Sequence, residues 1–196
     1  MKTLRLLFAL VALVPVANAS ASTADAENFL KKSVGEVVDV AKKSSDIESL
    51  AAGVRPILLK TISFDAMTRR AVGPGWRQFT EPERKEAITL FTTLIIRNYS
   101  AKFTPGELPD VLFKSATETA PGRIEVATTT LYKGSRYEVV YRLEQPEGKG
   151  WRVTDVVIEG VSMIANYRGQ LDAQFMSGGA TAVLGSLKKS VAAPVK

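Results

Sequence analysis

The chain has 196 residues, with 26 Lys and Arg against 20 Asp and Glu, so its formal net charge is +6 at pH 7. It contains neither cysteine nor histidine. These absences exclude disulfides, nucleophilic sites of the Ser-His-Asp and Cys-His types, and histidine-ligated zinc. The modest excess of positive charge is too weak to indicate a nucleic-acid-binding protein.

The first segment of the chain has the three parts of a secretory signal peptide. Lys2 and Arg5 supply positive charge, residues 6–16 form an apolar stretch, and Ala17-Asn18-Ala19 supplies the small residues that a signal peptidase reads. The apolar stretch is shorter than the ~20 residues that cross a bilayer, and no Cys follows it to carry a lipid anchor. We therefore expect residues 1–19 to be a cleaved signal peptide and the protein to be exported.

Helical periodicity dominates the first half of the chain after the signal peptide. Apolar residues recur three and four positions apart in four successive segments, and polar residues lie between them. Thr80 and Glu83 have the spacing of a capping box at the start of the fourth helix, whereas Pro56 would kink or shorten the second. The predicted helices cover residues 25–43, 47–60, 64–71 and 81–102.

The pattern changes to one of strands after residue 110. Alternation of apolar and polar side chains is clearest in the third of four segments. Pro121-Gly122 and Lys133-Gly134 are typical of tight turns, so we expect consecutive strands to form hairpins in an antiparallel meander. The predicted strands cover residues 111–119, 123–132, 135–144 and 150–159.

Helical periodicity returns over residues 162–175 and 181–191, with Gly178-Gly179 between the two helices. The order of helices, sheet and helices predicts an α+β fold, in which N- and C-terminal helices pack against a curved antiparallel sheet of about four strands. We expect such a sheet to enclose an apolar pocket, which is a usual position for a ligand. One domain is expected over residues 20–192, followed by a flexible tail over residues 193–196.

Two acidic side chains on the last predicted strand, Asp155 and Glu159, are candidates for a catalytic base, because a carboxylate that lines a pocket can accept a proton. The alternative is a surface acid or a salt bridge with Arg142 or Arg152. The residues therefore leave three classes open, namely a ligand-binding protein, an enzyme that uses Asp155 or Glu159, and an envelope protein that binds other proteins.

The segment from Trp151 to Arg168 resembles the signature of the MlaC family, also called toluene-tolerance auxiliary proteins. In that family a strand with Trp and Asp leads into Glu-Gly-Val-Ser and then into a helix with Asn-Tyr-Arg. The resemblance extends upstream and covers roughly residues 25–190, although Gly169-Gln170-Leu171 departs from it because relatives often carry an aromatic residue nearby. The matching residues are Trp76, Trp151, Asp155, Glu159, Gly160, Val161, Ser162, Asn166, Tyr167 and Arg168.

The resemblance implies an MlaC-like fold of the NTF2-like type and a protein that is not an enzyme. Members of the family are periplasmic carriers of Gram-negative bacteria. They pass phospholipid between an outer-membrane lipoprotein complex and a ring of substrate-binding subunits on an inner-membrane ABC transporter. Phospholipid is thus the implied cargo and these two assemblies the implied partners, with no nucleic acid, metal or cofactor, and a monomer suits such a shuttle. Related carriers are associated with hopanoids, so a hopanoid or another apolar lipid stays open as the cargo.

In that family acyl chains lie in an apolar pocket between the sheet and the helices. Arg168 is therefore a candidate for contact with a headgroup phosphate, with a structural salt bridge as the alternative. We expect the pocket to be lined by apolar residues on the inner faces of the long helix, the sheet and the turn that follows it. These residues are Phe91, Leu94, Ile95, Tyr99, Val126, Val139, Tyr141, Val157, Val161 and Ile164.

Overall fold

The structure is a computed structural model that describes residues 22–104, 106–146 and 149–194. The predicted signal peptide, residues 1–19, and the last two residues of the predicted tail lie outside the described residues. Within the described ranges, no helix is both long enough and apolar enough to cross a membrane.

Helices form the N-terminal half of the described chain, as the periodicity predicts. Each predicted helix is present with ends that shift by no more than two residues, and a 3₁₀ turn precedes the fourth. The elements are α1 (Thr23–Lys43), α2 (Ile47–Thr61), α3 (Phe64–Val72), the 3₁₀ turn (Gly73–Gln78) and α4 (Glu81–Ser100).

Side-chain caps fix the starts of α2 and α4. Asp46 accepts the backbone N–H of Ser49 at 2.7 Å, and the Ser49 hydroxyl accepts the N–H of Asp46 at 3.2 Å. At α4 the Glu83 carboxylate accepts the N–H of Thr80 at 2.8 Å, which confirms the predicted capping box. These reciprocal bonds satisfy backbone donors that a helix start otherwise leaves unpaired.

Helix α2 runs through Pro56 and continues to Thr61, so the proline does not shorten it. Leu50 and Val54, on the same helix, are buried in the helical core. Packing of this buried stripe outweighs the local preference of proline against a helix interior.

Five strands form one antiparallel sheet in the order β1-β2-β3-β4-β5, which confirms the predicted meander. The predicted ends of the second and third strands are correct to the residue. The strands are β1 (Asp110–Ala120), β2 (Arg123–Tyr132), β3 (Ser135–Glu144), β4 (Arg152–Ile158) and β5 (Val161–Ser162).

The sheet has one more strand than the predicted four because the chain reverses directly after β4. Glu159 and Gly160 both have positive φ, 49° and 77°, and they return the chain so that β5 pairs with the end of β4. A strand of two residues is too short to produce a periodic pattern, so the sequence contains no signal for it.

The chain ends in helix α5 (Met163–Ala192), which is interrupted where the sequence predicts a break. Gly178 and Gly179 have non-helical backbone angles, and Gly179 has a φ of +63° that favours glycine. The N-terminal part of α5 buries Ile164 and Leu171, and the C-terminal part buries Val183 and Leu187. Both parts pack against the helical core.

Two apolar clusters hold the layers together. The helical cluster lies among α2, α3, α4 and α5, with Phe91, Met67 and Leu171 among its buried members. The sheet cluster lies between α1 and the inner surface of the sheet, where Leu30 contacts the region of Ile124. Ile62 and Val156 pack against both clusters, so the two form adjoining parts of one interior.

Candidate ligand-binding site

The four predicted positions on α4 lie together at the centre of the helical cluster. Phe91, Leu94 and Ile95 are buried, and Tyr99 is partly buried beside them. Burial raises the pKa of the Tyr99 phenol, and the nearby charges of Tyr167 and Asp155 add to the shift. Helix α4 therefore presents an apolar stripe that ends in a phenol towards the sheet side of the interior.

Helix α5 meets this stripe through its first turns. Ile164 is buried in the same cluster. The ring of Tyr167 packs edge-on against Phe91, with ring centroids 5.1 Å apart and an interplanar angle of 84°. An aromatic pair in this geometry is favourable beyond the area that it buries. The structure thus brings the α4 residues and Ile164 together.

Two predicted positions on the sheet, Val126 and Tyr141, lie directly opposite each other on β2 and β3. Val126 is fully buried. Burial raises the pKa of Tyr141 to about 12, although its side chain keeps some accessible surface. Tyr141 thus packs, partly buried, against the sheet cluster. Val139 lies two residues before Tyr141, on the same inner surface, and is also buried.

The register of β4 differs from the expected one, and Val157 is the residue affected. Val140 pairs with Val157 and Tyr141 pairs with Val156, so Val157 lies on the opposite face from Val126, Val139 and Tyr141. The expectation that Val157 shares their face is wrong. A bulge at Thr154 adds one residue to β4 and shifts the alternation that begins at Val153.

Val161 lies at the rim of the inner surface. It pairs with Ile158, which in turn lies next to Val139 across β3 and β4, so the three side chains point to the same face. Val161 is 61% exposed because β5 is the edge strand of the sheet. Val161 is therefore an exposed apolar side chain at the edge of the inner surface.

Both carboxylate oxygens of Asp155, a candidate base, accept hydrogen bonds from neighbouring groups. Its Oδ1 accepts the backbone N–H groups of Val156 and Ile164 at 2.9 and 3.2 Å. Its Oδ2 accepts the Ser162 hydroxyl at 2.6 Å and Arg142 Nη1 at 3.1 Å. The salt-bridge interpretation is therefore confirmed, and the carboxylate joins β4 to the start of α5.

Glu159, the other candidate base, lies at the surface in the turn after β4. Its carboxylate accepts the backbone N–H of Glu138 at 2.5 Å. This bond holds the turn against β3. Neither acid has the free, pocket-lining carboxylate that the enzyme hypothesis requires.

Arg168 lies in a second concave region, on the outer side of the helical cluster. Its guanidinium group lies close to Gly73, at the end of α3. A cavity of about 540 Å³ opens there between α3, the 3₁₀ turn, α4 and α5. We call it the arginine cavity. Besides Trp76 and the turn at Gly73-Pro74, its lining consists of five arginines, which are Arg69, Arg70, Arg77, Arg84 and Arg168.

A profile of the family described as "MlaC protein" matches residues 31–189. The chain belongs to the MlaC family. The sequence resemblance to this family, based on the segment from Trp151 to Arg168, is thereby confirmed. No curated protein sequence matches the chain.

A solved structure has the same fold as this MlaC-family chain. It is a phospholipid-binding protein from Ralstonia solanacearum in complex with a phospholipid. The two sequences are 22% identical, and the match covers 86% of this chain and 97% of the other with a TM-score of 0.79. At this identity the comparison establishes an MlaC-like fold, in agreement with the predicted α+β architecture.

Sequence reasoning missed two inner-surface residues of this MlaC-type sheet. Val156 takes the inner position that Val157 was expected to hold, and only the bulge explains the exchange. Thr128 is buried on the inner surface, where its hydroxyl donates to the Val139 carbonyl at 3.0 Å. A threonine in an alternating strand is typical of an outward position, so the pattern contains no signal for it.

The described part of the chain contains no group of three or more acidic side chains that is placed to hold a metal ion. Two features of the described residues stand out, an apolar interior against which Tyr99, Tyr141 and Tyr167 pack and a cavity with five guanidinium groups. The first suits an apolar ligand and the second suits an anion.

Proposed function

We propose that this MlaC-family protein is a periplasmic carrier that shuttles phospholipid between outer-membrane and inner-membrane components of an ABC-type transport system. The observation that carries the proposal is the apolar interior between sheet and helices, where Ile62 and Val156 join the helical cluster to the sheet cluster. The family and the phospholipid-bound neighbour of the same fold support the choice of cargo.

The apolar interior offers a phospholipid an environment in which its acyl chains are not exposed to water. A lipid with two acyl chains exposes about thirty methylene groups, and each costs about 0.8 kcal/mol in water. The total, about 24 kcal/mol on that scale, makes free movement of lipid monomers negligible. A carrier must cover this surface and release it again, and neither step requires a reactive group.

In this proposal the acyl chains contact α4, α5 and the inner surface of the sheet. Phe91, Leu94, Ile95 and Tyr99 form one wall with Ile164, and Val126, Val139 and Tyr141 form the other, with Val156 in place of Val157. Val161 borders the entrance from the edge strand. The headgroup stays near the surface, where Arg168 is available to its phosphate.

Handover in this proposal requires a carrier that moves between the two membranes. A monomer released by cleavage after Ala19 crosses the periplasm between an outer-membrane lipoprotein complex and the substrate-binding ring of the inner-membrane transporter. The sequence of the signal peptide and the family support this location. A hopanoid or another apolar lipid is the alternative cargo, since an apolar interior does not distinguish lipid classes by itself.

Native mass spectrometry of the purified mature protein tests the proposal, followed by chromatographic identification of the released lipid. We expect one phospholipid per protein chain. A hopanoid in its place would change the cargo and keep the carrier function. Protein that is free of lipid under gentle conditions, and that does not take up phospholipid from vesicles, would contradict the proposal.

A further inference from the structure

We propose that the arginine cavity is a binding site for a phosphate group. The site is distinct from the apolar interior, and its residues come from separate parts of the chain. Arg69 and Arg70 end α3, Arg77 lies in the 3₁₀ turn, Arg84 lies in the first turn of α4, and Arg168 lies on α5.

The charge of the cavity is largely uncompensated. Arg70 forms an ion pair with Glu144 at 2.6 Å. Among the described residues, no carboxylate lies within ion-pairing distance of the other four arginines, and none lines the cavity. Cations held close together repel one another, so an anion between them is favourable.

Two further acids line an adjoining cavity of about 240 Å³ that shares Arg69, Trp76 and Arg84 with the first. They are Asp65 and Glu81. The Ser63 hydroxyl donates to Asp65 at 2.6 Å, and Asp65 follows an i, i+4 relation to Arg69. The two acids do not line the arginine cavity itself, whose lining residues are cationic or neutral.

Arg84 is held in place before any ligand arrives. Its Nη2 donates to the carbonyl oxygens of Trp76 and Arg77, at 3.4 Å each. The guanidinium carbon lies 5.8 Å from the centre of the Trp76 ring, a cation–π distance. The Nε–H of Arg84 is buried and has no acceptor among the described residues. A fixed guanidinium with an unused donor loses little conformational freedom when it binds an anion.

The turn after α3 is shaped around Arg168. Gly73 has a φ of +73°, and a Cβ atom there would lie 3.2 Å from Nε and Nη2 of Arg168. Gly75 leaves similar room for the ring of Phe175, which a Cβ atom would approach to 2.6 Å. The absence of side chains at both glycines lets α5 approach closely, so the Arg168 guanidinium can line the cavity beside Gly73.

Phosphate suits this arrangement better than a carboxylate does. Guanidinium groups bind phosphate oxygens through two parallel hydrogen bonds. A carboxylate has two oxygens in one plane, whereas phosphate has oxygens in a tetrahedral arrangement. Arginines that approach from α3, α4 and α5 require an acceptor that can be reached from several directions.

Two sources share this chemistry, the headgroup of a bound phospholipid and free phosphate. The first source depends on the proposed carrier function. Tyr167, next to Arg168, packs on Phe91 in the helical cluster, so the cavity adjoins the region in which we propose that acyl chains lie. The second source requires no lipid at all.

Phosphorus-31 NMR of inorganic phosphate titrated into the mature protein tests the site. We expect a shifted and broadened resonance with the unaltered protein, and at least about tenfold weaker binding for the Arg69→Gln/Arg168→Gln variant. The Arg55→Gln/Lys60→Gln variant removes the same charge from α2, outside the cavity, and is expected to bind phosphate as the unaltered protein does. Equal binding by all three proteins would overturn the proposal.

Both altered arginines are exposed, so we expect the variant to fold, and circular dichroism checks this. The exposed Arg77 provides a second, single variant, Arg77→Gln, with a smaller loss of binding. Loading from phosphatidylglycerol vesicles identifies the source. A headgroup in the cavity displaces inorganic phosphate, and a headgroup elsewhere leaves it bound. Phosphate binding by a protein that takes up no lipid would support the site while the carrier proposal fails.

Discussion

The apolar interior and the arginine cavity take residues from successive turns of one face of α5. Ile164 contributes to the interior, and Arg168, about one helical turn later, contributes to the cavity. The interior offers apolar surface, and because the hydrophobic effect is non-directional, such a surface suits long apolar chains of variable shape. The cavity offers charge with fixed geometry, which suits a small anion. In the proposed carrier, one helix would therefore contact both the acyl chains and the phosphate of the same lipid.

Asp155→Ala is expected to have the largest effect, because this carboxylate joins the sheet side of the interior to the start of α5. Four donors lose their acceptor, and two of them are backbone N–H groups. We expect a loss of about 3 kcal/mol or more in the free energy of unfolding, measured with urea. Glu159→Ala is the control, since it removes one exposed bond, and a similar loss there would contradict the assignment.

Tyr141→Phe tests whether the interior is as desolvated as its burial indicates. The phenol has a pKa of about 12 in the folded chain against an ordinary value of 10.0. The unfolded state therefore ionises first, and the contribution of Tyr141, present below pH 10, is lost as the pH rises from 10 to 12. We expect this alkaline loss, about 2 kcal/mol, to shrink in the variant. Identical alkaline unfolding curves would show that Tyr141 is solvated.

Val161→Glu separates the entrance of the interior from its core. The residue is 61% exposed, so we expect the fold and its stability to change little. A carboxylate at the rim is costly to bring against acyl chains. We therefore expect at least about tenfold less phospholipid bound, a difference of about 1.4 kcal/mol, by native mass spectrometry. Met176→Glu, at a position that is 79% exposed on α5, is the matched control, and unchanged loading in Val161→Glu would mean that the entrance lies elsewhere.

Gly73→Ala is the mildest of these changes to a site, and it tests the arginine cavity alone. Gly134 has the same φ of +73°, but a Cβ atom there meets nothing within 4 Å. Both Gly→Ala variants are expected to lose about 1 kcal/mol of stability from the backbone conformation. Weaker binding of inorganic phosphate is expected for Gly73→Ala alone, because its methyl group displaces Arg168. Equal phosphate binding by the two variants would separate Arg168 from the site.

The elements that the sequence predicts well are those with local signals. Thr80 and Glu83 start α4 through bonds that span three residues. The hairpin between β2 and β3 depends on Lys133 and Gly134, which both adopt the positive φ that such turns require. Their strand ends are therefore correct to the residue.

The elements that the sequence does not predict depend on distant contacts. The bulge at Thr154 exists only in relation to β3, and it exchanges Val157 for Val156 on the inner surface. The arginine cavity brings together cations that are far apart in the chain and that individually resemble ordinary surface charges. Of its members, Arg168 was singled out through the family resemblance, and its role in phosphate binding stays a prediction.

The extra residue at Thr154 reverses which residues of β4 face the inner surface of the sheet. Before Thr154, the side chains of Trp151 and Val153 belong to the buried sheet cluster. After it, Val156 and Ile158 have the inward-facing positions. Without the shift, strict alternation would turn Asp155 towards the inner surface and Val156 away from it. One inserted residue therefore turns the buried Asp155 away from the inner surface of the sheet, and its carboxylate accepts backbone and side-chain donors at the start of a helix.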